Sequence, residues 1–192
     1  MTTVTVVKKD GIAAIAADTL TKWGAAKESS DYIVNHAKIL RVGNNYIGVT
    51  GYFAFKTILR DYFDHLQEEV LLDSAANIFR TWNRLHGILK QRYYLLPEED
   101  KEDALESSRM DCLIANPYGI FGVAAHRTVQ EFSRFYAYGS GSDYALGAMY
   151  SVYADPHLSA EQIARHGVQG AAEFDDGTGA PITSFTVPLI KA

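Results

Sequence analysis

Cysteine is almost missing from this 192-residue sequence, with Cys112 as the single example. One thiol cannot close an intramolecular disulfide, and no CxxC metal or redox motif exists. Its setting, Met110-Asp111-Cys112-Leu113-Ile114-Ala115, reads as a strand and makes Cys112 a buried structural thiol. No apolar run approaches the ~20 residues of a membrane-crossing helix. No basic-then-apolar signal segment opens the chain, so the expectation is a cytoplasmic protein in which only the initiator Met1 precedes Thr2. Charge of one sign is also scarce, with 18 Lys and Arg against 23 Asp and Glu for a net charge of −5. The two signs are interspersed, which argues against nucleic-acid and membrane partners. Only 5 prolines and no low-complexity tract leave no room for a long linker. One domain over residues 1–192 is therefore expected.

What is present is patterned apolar sequence. Residues 3–9 are rich in β-branched side chains, Asp10-Gly11 is a strong hairpin signal, and residues 12–17 form a second apolar strand. Further strands are expected at 33–42 and 46–50, on either side of the turn Gly43-Asn44-Asn45. The period then changes. Phe55, Ile58, Leu59, Tyr62, Phe63 and Leu66 recur at helical spacing within 52–69, and Ile78, Trp82, Leu85 and Leu89 do so within 75–93. Residues 97–108 read as an exposed polar connection. A hairpin around Asn116-Pro117-Tyr118-Gly119, strands at 120–125 and 134–138, and a helix over 142–153 follow. A fourth helix starts near Ser159, where Ser159 and Gln162 fit a capping box, and a last strand spans 182–189. Runs of strands alternating with helix pairs favour an α+β protein with stacked antiparallel sheets and helices outside.

The chemistry rests on a few polar positions. A threonine hydroxyl is a weak nucleophile unless a base removes its proton, and a free α-amine with a pKa near 8 on the same residue can be that base. Loss of Met1 would give Thr2 such an amine. Asp18 ends the second hairpin strand, Lys38 lies in the extended run Asn35-His36-Ala37-Lys38-Ile39-Leu40, Gly51 precedes the first helix, and Ser140 sits in Gly139-Ser140-Gly141 before the third. The Gly-Ser-Gly turn lacks the third glycine and the lysine of nucleotide-binding loops. His65 and Glu69 stand at helical spacing with no second ligand nearby, so no metal is expected. Phe55, Tyr62, Phe79 and Trp82 read as packing residues rather than a cofactor box.

Taken in order, Thr2-Thr3, Asp18, Lys38, Gly51 and Gly139-Ser140-Gly141-Ser142-Asp143-Tyr144-Ala145 resemble the proteasome β-subunit family over essentially the whole chain. The likeness is to its bacterial branch, the heat-shock-locus peptidase and the smaller bacterial proteasome homologues. The resemblance implies a four-layer α-β-β-α sandwich of the N-terminal-nucleophile hydrolase type and a threonine peptidase that uses no cofactor. It implies Thr2 as nucleophile, Asp18 and Lys38 as an ion pair beside it, Gly51 N–H as oxyanion donor and Ser140 as holder of the Thr2 amine. Asp175 and Thr178 match two supporting positions, with Asp176 competing with Asp175. Substrate backbone is expected along Thr21, Lys22 and Val49. Partners implied are further copies in a ring, stacked rings, peptide or unfolded-chain substrates, and a ring ATPase or cap, which the segment 95–108 would block or redirect by modifying a ring face. The segment Ala17-Asp18-Thr19-Leu20-Thr21-Lys22 departs from the family pattern, which bears on substrate preference. Two other readings are an amidase of another N-terminal-nucleophile branch and a ring-forming scaffold that retains Met1.

Overall fold

A computed structural model describes residues 2–67, 70–96 and 103–190. Met1, Glu69 and the start of the polar connection at 97–102 lie outside the described residues. The N-terminal hairpin forms as expected, with β1 (Thr3–Lys9) and β2 (Ile12–Asp18) joined through Asp10 and Gly11, both at positive φ (50° and 74°). That double left-handed turn matches the twist of the flanking strands.

The remaining elements are β3 (Thr21–Trp23), β4 (Ala26–Glu28), a single 3-10 turn at Ser30–Tyr32, β5 (Ile39–Val42), β6 (Asn45–Gly51), α1 (Ala54–Asp64) and α2 (Ala75–Arg92). After them come β7 (Met110–Asn116), β8 (Gly119–Val123), β9 (Val129–Phe132), β10 (Phe135–Gly139), α3 (Ser142–Val152), α4 (Ala160–Phe174) and β11 (Ile182–Pro188). Two antiparallel sheets carry the fold, one ordered β10-β1-β2-β11 and the other β5-β6-β7-β8-β9. Alternation along β1 sends Val4 and Val6 into the core between the sheets, with Ile15, Leu113 and Ile120. The opposite face of the first sheet, with Val7, Ala14 and Ala16, packs on Met149 of α3 and Ile163 and Val168 of α4. On the outer face of the second sheet, Ile47, Ile114 and Phe121 bury Leu59 of α1 and Ile78, Trp82 and Leu85 of α2. The result is the expected α-β-β-α sandwich. At Gly48 the sheets approach so closely that a Cβ would fall 2.5 Å from Val4 Cγ1.

Three expectations change. Only Ile39–Val42 of the segment 33–42 is a strand, because Ile33 closes the 3-10 turn and Val34 is fully exposed with no strand to pair. Lys38 therefore ends a loop. The first helix stops at Asp64, short of the expected 69. The polar connection is not exposed throughout: Ser108 is buried, its N–H donates to Ala125 O, and its hydroxyl lies 2.9 Å from His86 Nδ1. The capping box of α4 is present, with Ser159 Oγ accepting from Gln162 N and Gln162 Oε1 accepting from Ser159 N.

Candidate active site

Thr2 precedes β1, and one further step of the strand alternation puts it on the face of Val4 and Val6, at the end of the inter-sheet layer. It is buried, and its carbonyl accepts from Ser140 N at 3.0 Å. That bond continues the β1–β10 ladder, in which Thr3 pairs with Gly139. Gly139 has φ +109°, and a Cβ on it would lie 1.8 Å from the Thr2 carbonyl oxygen. A Cβ at Gly141 would lie 2.6 Å from Thr3 Oγ1 and 2.7 Å from Ala171 Cβ. The Gly-Ser-Gly turn thus lets the chain close over the N-terminal strand without side-chain collision. Gly139→Ala should displace Thr2 by about an ångström or more and slow its reaction with a threonine-directed electrophile by about 10²-fold. Labelling kinetics would measure that loss.

Asp18 is fully buried at the end of β2 and is held on every side. Its Oδ1 accepts from Thr3 N at 3.0 Å and Lys38 Nζ at 2.9 Å. Its Oδ2 accepts from Lys38 Nζ at 2.9 Å, Leu20 N at 3.1 Å and Gly179 N at 3.2 Å. Burial pushes the Asp18 carboxyl up and the Lys38 ammonium down, and their mutual attraction opposes both movements. A lysine so weakened is a better proton donor than a solvated one.

A hydroxyl chain lies on the other side of β1. Asp175 Oδ2 accepts from Ser140 Oγ at 2.7 Å and from Thr178 Oγ1 at 2.5 Å. Thr178 has spent its proton on Asp175, so across the 2.6 Å contact Thr3 Oγ1 donates to Thr178 and itself accepts from Gly141 N at 3.2 Å. Burial alone would raise Asp175, but the hydroxyls of Thr178 and Ser140 outweigh it and hold the carboxyl below its ordinary range. Asp176 does not compete for this position, since it pairs with Lys22 at the surface.

Thr2, Thr21, Lys22, Lys38, Val49 and Gly51 all line one cavity of about 610 Å³. Gly51 ends β6 at φ +111°, where a Cβ would meet Arg109 O at 2.9 Å. Ser140, Asp175 and Thr178 stand behind Thr2 rather than in the cavity wall. Two participants had no role assigned from sequence. Thr3 links the hydroxyl chain, and its signal is a polar residue facing the helix layer in step with Thr5, whose Oγ1 donates to Ala164 O at 2.8 Å. Lys56 lines the cavity, and its signal is a lysine on the buried face of α1. Cys112 is fully buried and burial raises its pKa, as befits a structural thiol. His65 pairs with Asp61, and no cluster fit for a metal ion occurs among the described residues. No described helix is long and apolar enough to cross a membrane.

The architecture is that of the HslV structure class: eukaryotic HslV from Trypanosoma brucei superposes with a TM-score of 0.67 over 97% of this chain and 99% of that one, at 16% identity. BPH from Thiobacillus denitrificans, a proteasome-like protein of the HslV type, is 64% identical with a TM-score of 0.95, over 99% of this chain and 100% of its own. The same protein in complex with epoxomicin gives 63% identity and a TM-score of 0.93, over 98% and 100%. The chain belongs to the HslV-like proteasome β family. That membership supports a peptidase. No family model and no curated protein sequence matches the chain.

Proposed function

We propose that the chain is one proteasome β-type domain and a subunit of a self-compartmentalising threonine endopeptidase. The observation that carries the reading is the buried Asp18–Lys38 pair at the cavity that Thr2 lines, with Ser140 and Asp175 behind it. With Met1 removed, the Thr2 α-amine takes the proton from Thr2 Oγ1 as that oxygen attacks a peptide carbonyl. The carbonyl oxygen becomes an oxyanion, and Gly51 N–H is the donor aimed at it, a contribution of about 3–4 kcal/mol for such a group. The Lys38 ammonium favours the developing negative charge and keeps the neighbouring amine neutral. The protonated amine then passes its proton to the leaving nitrogen, the C–N bond breaks, and an ester remains on Thr2. Water, deprotonated by the same amine, hydrolyses that ester and restores the hydroxyl. Ser140, fixed by Asp175, orients the amine.

Assembly into a ring, with a second ring stacked on it, would enclose these sites and admit only peptides or unfolded chains. Large apolar side chains left exposed on the outer helices support such contacts, among them Phe79 on α2, Tyr150 on α3 and Phe174 on α4. The reading is tested by intact-mass spectrometry before and after treatment with a peptide epoxyketone, the relative's complex with epoxomicin making this class the natural probe. The expected result is loss of Met1 and one adduct per chain, located on Thr2. An unlabelled chain whose Thr2 is free would refute the mechanism.

A further inference from the structure

The cavity contains a cation for which the proposed catalysis has no use. Lys56 lies in the first turn of α1, on the buried face with Leu59 and Phe63, and is only 6% exposed. Its Nζ donates to Asn35 O and stands 4.2 Å from the centroid of the Phe53 ring. An ammonium has three donors, and a carbonyl plus a ring leave its charge without a counter-ion among the described residues. Burial, with Arg60 and Lys38 adding repulsion, brings its pKa down to about 8. A methionine would fill the same space without that cost, so the charge calls for a function.

Its neighbours across the cavity are already committed. Lys22 is paired with Asp176 and Lys38 with Asp18. Arg109 donates to Leu96 O and lies over the Tyr52 ring. Asp111 is the one carboxylate in the wall among the described residues, and its Oδ1 is taken by Ala125 N at 2.8 Å. The carbonyl that Thr2 attacks belongs to the substrate's acyl-side residue, whose side chain is the first substrate group to enter this cavity.

We propose that Lys56 lies at the bottom of the pocket for that acyl-side residue and selects a carboxylate there, so that the enzyme prefers to cut after Glu or Asp. This rests on the threonine-peptidase reading and names its substrate class. A carboxylate supplies the counter-ion that Asn35 O and Phe53 do not, and Glu has the reach to meet an amine at the pocket floor.

The test uses four fluorogenic peptides identical except for Glu, Gln, Leu or Lys before the scissile bond, with the assembled full chain. A hydrogen bond to a charged group predicts kcat/KM for Glu at least about tenfold above Gln. The Glu-to-Gln ratio should fall towards one as pH rises through about 8, where Lys56 loses its proton. Lys56→Met should remove the Glu preference, and Lys56→Glu should move it to Lys. A lysine that merely ties residue 35 to α1 would not shift selectivity in this way. If Lys56→Glu does not fold, the wild-type ratio and its pH dependence decide. Cleavage with no preference for Glu over Gln overturns this inference alone. Absence of both cleavage and a Thr2 adduct overturns it together with the peptidase reading.

Discussion

Replacing Lys38 by methionine should cut kcat by at least about 10³-fold and destabilise the fold by about 3 kcal/mol. The stability loss arises because Asp18, fully buried, keeps only the N–H groups of Thr3, Leu20 and Gly179 as partners. Removing one member of a buried ion pair typically costs about 3–5 kcal/mol, and three remaining donors argue for the lower end. The rate loss has a separate origin, the missing positive charge beside the developing alkoxide and oxyanion. The double variant Lys38→Met with Asp18→Asn separates the two. It should recover part of the stability, the uncharged amide keeping one acceptor oxygen for these N–H groups, and none of the rate. Thermal melting and turnover on the same samples make the comparison. The deficit of the single variant also has a pH sign. Burial holds the folded pKa of Asp18 above the unfolded value, so the folded state binds the proton more readily and stability falls as pH rises through that interval. Loss of the lysine widens the interval. The variant should therefore approach wild-type stability on acidification and lag most at neutral pH.

Lys38 also shows where sequence and structure part. Its role was legible from the resemblance, but its placement in a loop was not, since nothing in residues 33–38 reveals that the chain makes a 3-10 turn and enters a strand only at Ile39. The hairpin of β3 and β4 was silent for a related reason. It is largely solvent-facing, with Trp23 60% exposed, so it carries no alternation of buried and exposed residues to detect. β9 is an edge strand with the same weakness. Elements with a strong local signal were readable: the Asp10-Gly11 turn between two apolar, largely buried strands, the apolar faces of α1 and α2, and the capping box at Ser159. The choice between Asp175 and Asp176 could not be made from adjacent letters. It depends on the helix end, which turns Asp175 towards Ser140 and Thr178 and leaves Asp176 to Lys22.

A chain that keeps any residue ahead of Thr2 should have no measurable turnover, a loss of at least about 10⁴-fold, while folding and assembling normally. The nitrogen of Thr2 would then be an amide, which has no basic lone pair to take the hydroxyl proton. The hydroxyl, the Asp18–Lys38 pair and Gly51 would all remain in place, so this comparison isolates the amine in a way that no side-chain substitution can. Thr2→Ala is the complementary control, because it keeps a free amine and removes the oxygen. In both variants Thr3 N still binds Asp18 and Thr3 Oγ1 still joins Thr178, so these two contacts of the network beneath are kept. Light scattering should show both variants at the wild-type size, and both should be inert to peptide substrates and to the epoxyketone. Turnover by the extended chain would mean that another group, such as the Lys38 amine paired with Asp18, deprotonates the threonine, and the roles of Ser140 and Asp175 as holders of the amine would fall with it.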